Sequence, residues 1–497
     1  MPPWGRSQRL TCAAVLVICL GLQLWGLDRA PALWFDEGYK LNGARLLAET
    51  GVYGSRTSDG ITPFDPAVTA GPLEMALTAL SFRLFGVSAA SGRLPYALLT
   101  VLMLGLVYHV GRRAFGPRSG LFMMLTVAAV PPIDGVGVLL LGRQAMTETP
   151  GMVQLLAGLA CWLVAWERRS VTAAAIAGGF FGLAVVSKGQ FAAALLPTLG
   201  LVGVVRWRLR LAPLCGAFAP LVVACAVLAA WQVLPSVFVE PGALALNRAV
   251  TTQAIASNLL LGFWNRPLPL RSVLLALGAG AVALYGTQRS LAAWRLARNG
   301  AETWLTIVLT LLVAGNTLWF VLLSNGWPRY SYLGTVSALL VVGARVPAAL
   351  DVVARWCRVR PERIDGLAVA AMILAAASGT ASVVWRNAGP PPILAMTEYI
   401  GAHVPRTAVV ETIEWELTAV GPHTNYHSIP STLMFKADVQ WSSGQAIDLP
   451  YDPLAANPDY LVTGPFSAIV PVYTAPVIET YFKELVALPP YVLYARR

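Results

Sequence analysis

Long apolar runs separated by short basic stretches set the rhythm of this chain. They fall near residues 11–27, 94–111, 119–134, 149–166, 171–187, 190–205, 211–233, 270–286, 303–323, 331–344 and 366–385. A helix needs about 20 apolar residues to cross the roughly 30 Å hydrocarbon layer, so these runs predict eleven transmembrane helices. One further run, 72–86, is short and carries Glu74 and Arg83, which suits an interfacial helix. The pattern changes near Gly389, where Pro390-Pro391-Pro392 marks a boundary. Beyond it, 407–417, 459–464 and 486–494 read as strands between turn residues, and 476–485 as a short helix. The expected fold class is an α-helical polytopic membrane protein, 1–388, followed by a small C-terminal α/β domain, 389–497.

Composition agrees. Of 497 residues, 56% are hydrophobic and 12% charged, with a mean hydropathy of +0.62; soluble domains carry about 25% charged residues. The net charge of +11 does not signal a nucleic-acid partner, because the basic residues are dispersed among short loops. Their distribution reports topology instead. With 72–86 lying on the surface, Arg6, Arg9, Arg112, Arg113, Arg118, Arg168, Arg169, Arg206, Arg208, Arg210, Arg289, Arg295, Arg298, Arg345, Arg355, Arg358, Arg360 and Arg363 all fall on one side. That is eighteen of the 36 Lys and Arg, opposed there by 5 of the 25 acids. The positive-inside rule then places the N-terminus in the cytoplasm and the C-terminal domain outside, in a multi-pass protein of the cell membrane. Ala30-Pro31-Ala32 also fits a cleavage site after a signal peptide, the alternative for the first run. Six cysteines without C-x-x-C spacing indicate neither a disulfide framework nor a zinc site.

Two adjacent carboxylates, Asp36 and Glu37, follow the first apolar run in a long outer loop of about 28–93. A carboxylate at membrane depth costs about 2.5–3.5 kcal/mol even on a lenient scale, so acids kept there handle a substrate, a proton or an ion, or else terminate a helix. His423 and His427 are four apart, but Gly421-Pro422 and Pro430 argue against a helix, and no metal site is expected. Gly178 and Gly182 have small-x-x-x-small spacing, a helix-packing signal within one subunit.

Phe35-Asp36-Glu37-Gly38-Tyr39 resembles the first-loop acidic motif of GT-C membrane glycosyltransferases, within the superfamily of protein O-mannosyltransferases and lipid A aminoarabinose transferases (glycosyltransferase families 39 and 83). Four further segments match in order. They are Gly71-Pro72-Leu73 through Phe82-Arg83-Leu84-Phe85-Gly86, Gly92-Arg93-Leu94-Pro95, Arg112-Arg113-Ala114-Phe115-Gly116, and Gly182-Leu183-Ala184 to Ser187-Lys188-Gly189. Arg143 to Glu148 and Arg329-Tyr330 match more weakly. Ala70-Gly71-Pro72 stands where many relatives have Lys-Pro-Pro, so another cation must serve the donor phosphate, or the donor differs.

The resemblance implies an inverting enzyme that moves a sugar from a polyprenyl-phosphate donor to a hydroxyl on a lipid, glycan or protein acceptor, at the outer face and without a cofactor or metal. Membrane lipids are its other partners. It assigns Asp36 as general base and Glu37 as the acid that orients the acceptor or tunes Asp36. A leaving phosphate needs cations aimed at it; Arg93, Lys188 and Arg329 are the candidates, the alternative being headgroup-level snorkelling. Tyr39, Arg143 and Glu148 are candidate acceptor or sugar contacts; Glu148 reads equally as a helix-start acid, and Tyr39 as a packing residue. The competing function is a transporter or flippase of a lipid-linked glycan, although no repeated halves are evident.

Single cysteines at Thr57 and Ser442 in a cysteine-free background are expected to react with an impermeant thiol reagent added outside sealed cells, and one at Ser290 is not. Labelling at Ser290 alone would reverse the orientation.

Overall fold

A computed structural model describes residues 6–58, 60–65, 71–131, 137–245, 248–249, 252, 270–296, 300–324, 326–430, 433–434, 436, 440 and 451–497. Ala70 and Ser442 lie outside these residues. The chain divides into two compact units: one holds 1–25, 96–232 and 266–383, the other 26–95, 233–265 and 384–497.

The first unit is helical. Each of the eleven apolar runs carries a helix. Among the described residues, seven helices are long and apolar enough to cross a membrane: Ala89–Phe115, Glu148–Arg168, Gly189–Arg208, Leu214–Phe238, Ala301–Leu323, Pro328–Cys357 and Pro361–Arg386. Leu10–Leu24 and Val171–Ser187 are apolar but shorter. The protein is therefore a multi-pass membrane protein. Glu148–Arg168 sits centrally, with Met152, Leu155, Leu156, Leu159, Trp162 and Leu163 buried. Arg169, in the left-handed conformation, ends this helix, and the Ser170 hydroxyl caps the next by accepting from the Ala173 amide at 3.1 Å. Val171–Ser187 lies close to Leu214–Val233 through its two glycines. A Cβ on Gly178 would meet the Pro220 carbonyl oxygen at 2.7 Å, and one on Gly182 would meet Val227 Cβ at 2.6 Å. The small-residue spacing is thus a contact inside the subunit.

The second unit is mixed. The segment read as an outer loop is ordered into the helix Phe35–Thr50, an antiparallel hairpin of Gly54–Thr57 with Gly60–Pro63, and the helix Pro72–Phe85. The last has 14 residues, too few to span. The C-terminal segment builds a five-stranded sheet in the order Tyr426–His427, Val410–Glu411, Tyr460–Thr463, Tyr491–Arg496, Phe482–Leu488. The first three strands run parallel and the last three antiparallel. Two expectations change here. Within 407–417 only Val410–Glu411 is strand, because Trp415–Val420 turns helical. The run 486–494 is two strands broken at Pro489-Pro490, and the preceding helix, Ala475–Tyr481, ends before the strand from Phe482 begins. The core of this segment gathers Ile413, Trp415, Leu461, Phe466, Tyr473 and Phe482, with Phe35 and Tyr39 packed against it.

Candidate functional site

The helix Phe35–Thr50 starts after an extended Trp34, so Asp36 and Glu37 fall in its first turn, where carboxylates complement the helix dipole. The two acids then diverge. Glu37 is wholly buried and meets an equally buried Arg93 in a two-pronged pair, Nε to Oε1 and Nη2 to Oε2, each at 2.7 Å. Arg93 Nη1 donates to the Leu27 carbonyl at 3.1 Å. Arg93 is therefore the counter-ion of Glu37, and both side chains are excluded from solvent. Asp36 keeps 18% of its side-chain surface. Its partner is Lys40, one helical turn on, whose Nζ bonds both the Asp36 carboxylate and, at 3.0 Å, the Asp36 carbonyl. Sequence reasoning passed over Lys40, although the i, i+4 spacing of opposite charges signals such a pair.

The rest of the acidic motif docks this helix onto the C-terminal segment. Phe35 stacks on Phe466 at 4.4 Å, and Tyr39 on Trp415 at 3.9 Å. Between them, a Cβ on Gly38 would lie 2.4 Å from the Glu416 backbone, so only glycine permits this approach. Tyr39 is thus a packing residue here.

In the first unit, Glu148 and Lys188 form an ion pair at 2.7 Å, with Glu148 fully buried. Lys188 Nζ also lies 5.4 Å from the Tyr330 ring. Arg329 is stacked over Trp327 at 4.7 Å and Tyr330 at 5.5 Å. Arg143, the candidate acceptor or sugar contact, is bonded to backbone carbonyls. Its Nη1 donates to Leu22 O at 2.6 Å and Gln23 O at 3.0 Å, and Nη2 donates to Trp25 O at 2.7 Å. It caps the carbonyl end of Arg6–Leu24, where a cation meets the negative pole of the helix.

Three buried glutamates in the C-terminal segment were not anticipated, although carboxylates inside the apolar run 409–417 were a visible signal. Glu411 accepts from Tyr451 and Tyr473 hydroxyls, each at 2.8 Å, and pairs with His427. Burial first, then Glu411 itself, pushes the Tyr473 hydroxyl far up. Glu414 accepts the Phe466 and Ser467 amides at 2.9 and 2.7 Å. Glu416 accepts from Tyr491 at 2.8 Å; burial, then the neighbouring Glu414, pushes it up to about 8. Burial lowers the pKa of His423, against the opposing hydrogen bond to Ala408 O at 3.1 Å. Among the described residues no three His, Cys, Asp or Glu side chains converge as a metal site.

Comparison with known proteins agrees with this architecture. Residues 69–234 match the family described as dolichyl-phosphate-mannose-protein mannosyltransferase. The structure of ArnT from Cupriavidus metallidurans bound to undecaprenyl phosphate is similar at a TM-score of 0.64 and 16% identity, over 98% of this chain and 97% of that one. The oligosaccharyltransferase AglB of Archaeoglobus fulgidus, solved with an inhibitory peptide and a dolichol-phosphate, is similar at 0.54 and 14% identity, over 99% of this chain and 75% of its own. No protein among the curated sequences matches. The chain has the fold of the GT-C membrane glycosyltransferases.

Two outcomes test this account of the buried charges. Arg93→Met leaves Glu37 buried without its partner and is expected to cost about 3–5 kcal/mol. The double variant Glu37→Leu/Arg93→Met should recover most of that in denaturant unfolding, and a double variant as unstable as the single one would refute the pairing. For Glu416 the folded pKa of about 8 lies above the unfolded value, so the native state holds the extra proton. Its contribution is present below the unfolded carboxylate range and is lost as pH rises toward 8, at about 1.4 kcal/mol per unit. Glu416→Gln should flatten the fall in melting temperature between pH 5 and pH 8; an unchanged slope would mean Glu416 is ionised throughout.

Proposed function

We propose that this chain is an inverting glycosyltransferase that moves a sugar from a polyprenyl-phosphate donor to an acceptor hydroxyl at the extracytoplasmic face of the membrane. The observation that carries the reading is the unequal treatment of adjacent acids. Glu37 is sealed away with Arg93, whereas Asp36, next along the same turn, keeps an exposed edge and a paired ammonium. A sealed acid serves the fold; an acid held in place at the surface can take a proton. Support also comes from the GT-C fold and from the lipid phosphate bound to the ArnT of similar structure. The outer-face assignment rests on the basic loops.

In this reading, the acceptor hydroxyl gives its proton to the Asp36 carboxylate while its oxygen bonds to the anomeric carbon. The bond from that carbon to the phosphate oxygen breaks, and its electron pair leaves with the phosphate. A single displacement inverts the anomeric centre. Lys188, paired with Glu148 but not wholly buried, and Arg329 remain the proposed cations for a leaving phosphate; Arg93, wholly buried against Glu37, is not proposed for it. Tyr39, Arg143 and Glu148 take no substrate role in this scheme. The sugar and the acceptor are to be found by incubating purified protein with radiolabelled polyprenyl-phosphate sugars and following which label moves.

Asp36→Asn preserves shape and removes proton affinity. Transfer is expected to fall by about 10²–10⁴-fold in turnover, with donor binding nearly intact. Full transfer in folded, donor-binding Asp36→Asn protein removes Asp36 as base. No transfer from any donor, with labelled lipid crossing proteoliposomes instead, favours the transporter.

A further inference from the structure

The helix that carries Asp36 has a second charged face. Arg45 lies nine residues beyond Asp36, about 13.5 Å along the axis and half a turn round it, and so points away from Asp36. It lines a cavity of about 30 Å³ together with Asn42, Glu49, Arg56, Thr424 and Tyr426. A water centre needs about 10–15 Å³, so the space admits two or three such centres. That suits a compact group of a few oxygens, too small for a sugar ring.

The lining is rich in donors. Arg45 is 8% exposed. Its Nε meets Glu49 Oε1 at 2.7 Å, and its Nη1 meets the Thr418 and Gly421 carbonyls at 3.0 and 2.9 Å. Three bonds fix the guanidinium, and Nη2 has no partner among the described residues. Arg56, exposed on the strand Gly54–Thr57, likewise has no ion pair among the described residues. The Tyr426 hydroxyl is buried without a hydrogen bond among the described residues, close enough for the Arg45 charge to act on it. Among the described lining residues Glu49 is the one acid, and it is already engaged by Arg45, which leaves these residues a net positive charge.

The geometry points to an oxyanion-binding site formed by Arg45 and Arg56, with Asn42 and Tyr426 as neutral donors, for a phosphate group. It is separate from the proposed chemistry at Asp36 and holds whether or not sugar is transferred. A fixed, nearly buried guanidinium with one edge unused needs no reorganisation to accept a phosphate oxygen, and planar two-point recognition of phosphate is what arginine provides. The phosphate has two sources, a free ion or a lipid headgroup.

The test is calorimetric titration of the full chain in phosphatidylcholine nanodiscs with inorganic phosphate, without donor or acceptor. Saturable binding is expected. Arg56→Met should weaken it by about tenfold, the loss of one charge-assisted contact. Glu49→Gln should tighten it several-fold by removing the opposing charge. Lys483→Met, an exposed charge elsewhere, should leave it unchanged. Nanodiscs containing phosphatidic acid that abolish the titration assign the site to a lipid headgroup; retained titration assigns it to the free ion. Either upholds the site. Absence of saturable binding, or identical affinity in wild type, Arg56→Met and Glu49→Gln, overturns it. Because nothing is transferred in this assay, its failure leaves the Asp36 reading standing, and the reverse holds too.

Discussion

A single buried ion pair fixes the geometry on which the rest of the second unit depends. Glu37 and Arg93 are both excluded from solvent. Each ion taken out of water costs several kcal/mol, recovered only when the geometry is matched and the remaining hydrogen-bonding positions are filled. Here the fork of Arg93 meets both carboxylate oxygens, and its third direction is closed by Leu27 O. The pair therefore does more than join two segments: it sets the rotation of the helix Phe35–Thr50 about its own axis. At 100° per residue, turning Glu37 and Leu41 toward Arg93 leaves Asp36 and Lys40 together on a second face. Phe35, Gly38, Tyr39, Asn42, Arg45 and Glu49 then share a third. Any other rotation would bury Asp36 or expose Glu37, and either costs an unpaired charge.

The third face explains what the C-terminal segment contributes. Phe35 and Tyr39 complete its core, and Gly38 lets the two backbones touch. Its three buried glutamates are held by different means. Glu411 is surrounded by hydroxyl donors and His427, Glu414 by the amides opening a short helix, and Glu416 by one tyrosine hydroxyl. The Glu414 charge opposes ionisation of the buried Glu416, so ionising both works against the closed segment. The shell that aims the Asp36 helix is therefore itself sensitive to protonation, in the direction opposite to that of a salt-bridged acid.

How much of this was legible follows from the range of each interaction. The apolar runs became helices because periodicity and length act locally. Gly178 and Gly182 were readable as a packing pair for the same reason, and 72–86 as a short helix. The acid motif was legible as chemistry but not as structure. Its partners, Arg93 and then Trp415 and Phe466, lie 56 and more than 370 residues away, and nothing local distinguishes a sealed acid from an open one. The partners of Arg143 were not legible because they are backbone carbonyls, which leave no mark in sequence. The strand expected over 407–417 failed because Trp415–Val420 turns helical where it packs under Gly38, a tertiary demand that overrides a strand-like pattern.

The same contrast accounts for a shared fold at only 16% identity to ArnT. A helix such as Leu214–Val233 buries Ala217, Pro220 and Ala224 and leaves most other side chains exposed. Many apolar residues satisfy those positions, because hydrocarbon does not discriminate among them. Glu37, Arg93 and Gly38 have no such latitude. The first two must match each other's charge and shape in the absence of water, and the third must have no side chain at all. Most of this surface therefore places weak physical demands on residue type, while a few positions, scattered along the chain and joined only in space, are chemically determined. Asp36 inherits its place from them: its exposure is a consequence of where Glu37 is obliged to go.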